Sequence, residues 1–279
     1  MESFQFECSA LCGSARAALV IAHPGHELRV YGWASRCRPR TFVITDGSGH
    51  GGISRLDSTR KILRGLGCEA GEVFGLLTDR AIYDAIREHD TSRFQSLVTV
   101  LAASFVAHDI EVVTGDATEW FNPAHDICRM LINAAVDAVY LFSGRTIANY
   151  EFCLTEAEHA SDQNHDGRCC HHLLDDDRLA QKLSAAHNYL ELRYEVEQAL
   201  SSCGKEYFRL ECLKRVPNPA PMAVPVAKPF YEIFGEKRVI EGTYHSVIRF
   251  EEHIAPLQRD LYAYVETAAS HLTERAAIA

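Results

Sequence analysis

The chain has no apolar stretch long enough to cross a membrane. The longest, Leu97 to Val106, is ten residues, against the roughly 18 a spanning helix needs. Clustered basic charge is also missing. Lys and Arg total 28 against 38 Asp and Glu, a formal net charge of -10. The alternating Arg36, Arg38 and Arg40 are split by Cys37 and Pro39. Neutralising nucleic-acid phosphates takes such clusters, so neither nucleic acid nor a membrane is an expected partner. There is no G-x-S-x-G for a nucleophilic serine, and Gly47 to Gly52 lacks the strand–helix setting of a dinucleotide-binding loop. The ten cysteines follow no regular framework and include no C-x2-C zinc spacing. Residues 1–10 lack a basic segment followed by an apolar run, so a cytoplasmic protein with reduced thiols is expected.

What is present is an ordinary globular composition: 279 residues, 47% hydrophobic and 24% charged. Such a chain can bury a full core. Ala17 to Ala22 and Thr41 to Thr45 are short continuous apolar runs, the pattern of central strands, and Ile110 to Thr114 and Tyr150 to Leu154 read as two more. Helical spacing covers Glu27–Ser35, Ser58–Leu66 (stopped by Gly67), Arg93–Ala107 and Asp126–Tyr140. The alternation predicts an α/β fold: a Rossmann-like, mostly parallel sheet with helices on both faces and a C-terminal helical extension. In the second half, Asp175 to Ser201 reads as one long helix. A proline-rich connector runs from Val216 to Pro229, and a charged helical tail from Phe230 to Ala279. Residues 1–172 are read as the core and 173–279 as the C-terminal part. Cys169-Cys170-His171-His172 is read as a loop or helix start, because adjacent cysteines rarely share one tetrahedral zinc.

Ligands of parallel sheets sit at the carboxyl ends of the strands. Three polar loops fall there: residues 23–27, 46–52 and 115–125. They carry His23, His26 and His125, two imidazoles three residues apart and a third from a distant loop. That is the donor set of a metal centre with an open fourth position; three structural histidines are the alternative. Asp46 is either a general base or a carboxylate that caps the loop or orients a ligand, with His50 next in line as base. Glu27 is read as orienting a ligand histidine, and Asp126 as a helix N-cap. Arg55 and Arg60 either reach a substrate anion or are solvated helix charges. Trp120-Phe121 is either a sugar-stacking wall or core, and Asp79-Arg80 a turn or salt bridge.

Four segments carry a family resemblance. Ala22-His23-Pro24-Gly25-His26-Glu27 resembles the A-H-P-D-D-E signature of the PIG-L/LmbE-like zinc N-deacetylases. Thr45-Asp46-Gly47 is similar to that family's T-D/N-G loop, Gly75 to Asp79 to its G-L-P-D-G segment, and Asn122 to Asp126 to its H-P-D-H. Order and spacing agree over residues 16–140, and Tyr231 to Pro256 resembles the C-terminal extension of some bacterial members. The resemblance implies a zinc-dependent hydrolase that removes an acyl group from a small polar substrate such as an amino-sugar conjugate. His23 and His125 match two family ligands, and His26 stands in place of an aspartate ligand. Three histidines suit Zn2+ or Fe2+. Two positions depart from the pattern. Gly25 replaces the family's general base, which leaves Asp46 as the expected base. Asn122 replaces a histidine that assists the oxyanion or leaving group, and an amide there can still donate to an oxyanion. The alternative is a divergent member with changed metal chemistry, or one that binds a ligand without turnover. A homo-oligomer is compatible with the sequence.

Overall fold

The computed structural model describes residues 15–49, 51–155 and 169–278. Its centre is a seven-stranded sheet. The strands are β1 (Ala17–Ile21), β2 (Arg40–Thr45), β3 (Glu69–Leu77), β4 (Val112–Asp116), β5 (Ala148–Phe152), β6 (Cys169–Leu173) and β7 (Leu210–Arg215), in the order β3-β2-β1-β4-β5-β7-β6. The first five in that order run parallel, while β7 is antiparallel to both β5 and β6. The Rossmann-like expectation holds.

The central strand explains its own sequence. Ala18 and Val20 point into one apolar layer, and Ala17, Leu19 and Ile21 into the other. With both faces covered, β1 reads as an unbroken apolar run rather than an alternation. The first layer is closed by α3 (Asp79–Arg87), α4 (Thr91–Ala107), α5 (Pro123–Ser143) and the C-terminal α9 (Ala255–Ile278). The second is closed by α1 (Tyr31–Cys37) and α2 (Leu56–Leu66). Caps set the helix ends. Thr78 accepts from the Ala81 N–H at the start of α3 and Asp90 from that of Arg93 at the start of α4, while Gly67 ends α2 at a φ of 72°. Among the described residues no helix is long and apolar enough to cross a membrane.

Three differences from the sequence reading have physical causes. β3 was not legible because it is an edge strand with register shifts and only two buried positions. The long helix expected over 175–201 is broken into α6 (Asp176–His187), a 3-10 turn at Leu190–Leu192 and α7 (Arg193–Cys203). The break drops Tyr189 into the core, 1% exposed, where its hydroxyl lies 2.9 Å from Thr59 Oγ1. Finally, Cys169 to Leu173 is a strand, neither a loop nor a helix start. Cys170 is disulfide-bonded, a departure from the expectation of reduced thiols.

The remaining tail forms α8 (Phe230–Ile240), a π-helical turn at Phe250–Ile254 and α9. α9 packs on α5 through Leu257, Leu261 and Val265. Beneath this contact Asp137 is 8% exposed, and burial pushes its carboxyl up to about 6 from 3.8. The folded state therefore binds the Asp137 proton more tightly than the unfolded chain does. The associated stability is full below pH 3.8 and is lost as pH rises through 6. Asp137→Asn is expected to stabilise the protein at pH 7.5 by about 1–3 kcal/mol, seen as a raised Tm. The gain should vanish near pH 4, and an equal gain at both pH values would exclude this cause.

Candidate metal centre at the switch point

β2 and β4 flank β1 on opposite sides, so the chain direction of the connections reverses there and a crevice opens at the carboxyl ends. The close approach of β1 and β4 depends on Gly115, where a Cβ would stand 2.1 Å from the Val20 carbonyl oxygen. His23 and His26 follow β1, and His125 lies in the first turn of α5. The sheet brings all three together, with ring centroids 5.4 Å (His23–His26), 5.1 Å (His23–His125) and 4.7 Å (His26–His125) apart. Three imidazoles sharing one tetrahedral zinc have ring centres roughly 5 Å apart.

Two carboxylates that the sequence reading did not assign to this role hold these rings. His23 Nδ1 lies 2.9 Å from Asp79 Oδ1 and 2.7 Å from Thr45 Oγ1, and Thr45 in turn donates to Asp79. His26 Nδ1 lies 2.9 Å from Asp116 Oδ2, which also accepts from the Ala22 N–H. With Nδ1 engaged in both rings, Nε2 is the atom left to face an ion, as in the carboxylate–histidine arrangement of metal sites. His23 Nε2 and His125 Nδ1 are buried without a partner. Such orphaned acceptors or donors are rare in a folded protein and fit a site built around an ion. Burial lowers the pKa of His23, and lowers that of His125 well below 6.5 with the neighbouring His26 and His23 charges adding to it. Both imidazoles are therefore neutral at pH 7. Burial pushes the Asp79 carboxyl up, but the His23 hydrogen bond and charge outweigh it and hold it well below its usual range. Behind the site, Arg129 (2% exposed) donates to the Asp116 carbonyl at 2.6 Å, to Asn149 Oδ1 at 2.9 Å and to the Tyr150 carbonyl at 3.0 Å.

Other expected residues take different places. Asp46 follows Thr45 at the end of β2, and its Oδ1 accepts from the Ser48 N–H at 3.0 Å and the Asp79 N–H at 3.3 Å. Asn122 is the N-cap of α5. Its Oδ1 accepts from the Ala124 N–H and the Tyr83 hydroxyl, leaving Nδ2 as its donor end. Asp126 is therefore not the cap. Its Oδ1 accepts from the Glu119 and Trp120 N–H groups, and burial pushes its carboxyl up to about 8. Glu27 does not orient a histidine. It accepts from the Gly25 N–H and the Thr59 hydroxyl, both at 2.7 Å, and so ties the 23–27 loop to α2. Arg55 donates to the Gly47 carbonyl, and its guanidinium comes within 4.0 Å of Asp79. Arg60 pairs with Asp57 on the surface. Trp120 packs against the core and on Phe250, whereas Phe121 is exposed and stacks on Phe230 at 4.7 Å. His50 lies outside the described residues.

Gly25 sits at a φ of 108°, and a Cβ there would stand 2.3 Å from Leu192 Cδ1. A carboxylate at this position would be strained by the backbone conformation and would require the Leu192 side chain to move.

Fold and site together describe an α/β domain with three converging histidines at its switch point, two of them braced by carboxylates. No family model and no curated protein matches the sequence. Among solved structures, the chain is similar to Dbv21, the A40926 pseudoaglycone deacetylase, at 16% identity and a TM-score of 0.52, over 75% of this chain and 100% of that one. It is also similar to the zinc-inhibited form of the teicoplanin deacetylase Orf2, at 10% identity and a TM-score of 0.50, over 73% and 100%. The fold is thus one that deacetylases use, as the sequence resemblance implied.

Proposed function

We propose that this protein is a metal-dependent amide hydrolase that removes an acyl group from a small polar N-acylated substrate, an amino-sugar conjugate being the best fit. The observation that carries the proposal is the convergence of His23, His26 and His125, two of them braced by Asp79 and Asp116. These three residues would hold Zn2+, with Fe2+ the alternative. When bound, such an ion would supply Lewis-acid polarisation of an amide carbonyl and would lower the pKa of water. Asp46 takes the proton from the attacking water, and its place next to Thr45, which bonds His23, supports that assignment. Asn122 Nδ2 donates to the developing oxyanion, with Tyr83 and the α5 cap fixing the amide. The A40926 pseudoaglycone and teicoplanin compounds are the reference substrates, because the similar structures are named as their deacetylases.

The test is amine release from a panel of N-acylated amino sugars by the zinc-loaded chain. Asp46→Asn is expected to lower kcat by about 10²–10⁴-fold with little change in KM. Metal binding without amine release on any panel member would favour the second reading, a ligand-binding or chemically altered protein, which the closed Gly25 position supports.

A further inference from the structure

A second cluster of metal-ligating side chains lies on the other edge of the sheet. β6 carries Cys169-Cys170-His171-His172, and strand alternation splits this run between two faces. Cys170, in its disulfide, packs with the second apolar layer alongside its cross-strand partner Leu213. Cys169 and His171 share the opposite face, and His171 is directly opposite Cys212 on β7. One ligand atom from each of Cys169, His171 and Cys212 lies within 4.8 Å of the other two. The cluster is graded in exposure: His171 is exposed, Cys169 half-buried and Cys212 buried. A further cysteine, Cys153 just past β5, lines the same cavity as Cys212.

We infer that Cys169, His171 and Cys212 form a second metal site, for a thiolate-preferring divalent ion, zinc being the one expected. The chemistry differs from that of the switch-point histidines. Two thiolates and one imidazole select soft and borderline ions. Binding displaces the thiol protons to solvent, so affinity rises with pH. The ligands come from two antiparallel strands at the sheet edge, so the ion cross-links β6 to β7 and pins the edge strand. His171 is the exposed member of the three, so an ion reaches the cluster from its side.

Cobalt distinguishes the two sites, because a thiolate ligand gives a sulfur-to-cobalt charge-transfer band in the near ultraviolet and an all-histidine site gives none. The reduced full chain is titrated with Co2+. The band is expected in the unmodified chain, and equally in His125→Ala, where the switch-point site is broken. It is expected to disappear in Cys169→Ser, with Co2+ affinity at this site at least tenfold weaker in His171→Ala. Cys169 and His171 are chosen because neither is buried, so the variants should fold, which the unfolding midpoint checks. Absence of the band in the unmodified chain, or its persistence in Cys169→Ser, overturns the inference. Loss of the band in His125→Ala would also overturn it, because the thiolate signal would then belong to the first site. None of these outcomes depends on amine release.

Discussion

His125→Ala should lose its switch-point metal and its amine release together. The variant is best studied in a Cys169→Ser background, so that only one metal site is counted. The ring of His125 closes the triangle with His23 and His26 at 5.1 and 4.7 Å. Removing it leaves two ligands where a catalytic ion needs three. The expected loss in metal affinity exceeds the roughly 10–100-fold that removal of an orienting partner costs. Asp79→Asn and Asp116→Asn supply that smaller reference, since each keeps the ligand ring but weakens the group that holds its Nδ1. The graded pattern is the diagnostic. Equal effects from all three would indicate general damage to the fold, and retention of metal by His125→Ala would exclude the assignment.

The largest stability effect is expected at Glu211→Ala. Glu211 is 1% exposed and accepts from the Gly32 and Trp33 N–H groups and from Lys182 Nζ, each at 2.9 Å. The first two are unpaired donors of the opening turn of α1, which has no side-chain cap of its own. Glu211 caps that helix from β7, across 178 and 179 residues of chain. Its removal strands two buried N–H groups and leaves the ammonium of Lys182, itself 5% exposed, with the Arg29 carbonyl at 3.1 Å but no counter-charge. Breaking one side of such a buried pair costs about 3–5 kcal/mol, a fall in Tm on the order of 10 °C for a chain of this size. Lys182→Met in the same chain is expected to recover part of the loss, because no uncompensated charge is left. A Tm within 2 °C of the parent, on a scale of about 2–4 °C per kcal/mol, would contradict this account of how the C-terminal half is fastened to the sheet.

The legible parts of the fold were those with strong local signals. Ala17–Ala22 and Thr41–Thr45 are buried on both faces, so their sequences alone identify them as strands. Gly67 and the α4 periodicity mark helices in the same way. The three histidines were legible because each sits at a strand end or helix start. What stayed hidden depends on the third dimension. Asp116 ends β4 and Asp79 opens α3 just past β3, both far from the histidines in sequence, and only the parallel register brings them to His26 and His23. Asp79 read as a turn residue because β3 itself was not visible. Glu27 was expected at a histidine, but the tight backbone at Gly25 turns its carboxylate to Thr59. Asn122 was selected for chemistry and proves also to be the cap of α5, a role that the following Pro123 signals. The Cys-Cys-His-His run was unreadable as a metal cluster because its third ligand, Cys212, lies on another strand.

The measurement that tests the central claim most directly is anomalous X-ray scattering at the zinc edge from crystals of the zinc-loaded chain. A peak is predicted among His23, His26 and His125, on the side of His23 and His26 away from Asp79 and Asp116. Density at the Cys169–His171–Cys212 cluster alone, with none among the three histidines, would contradict a metal-dependent site at the switch point.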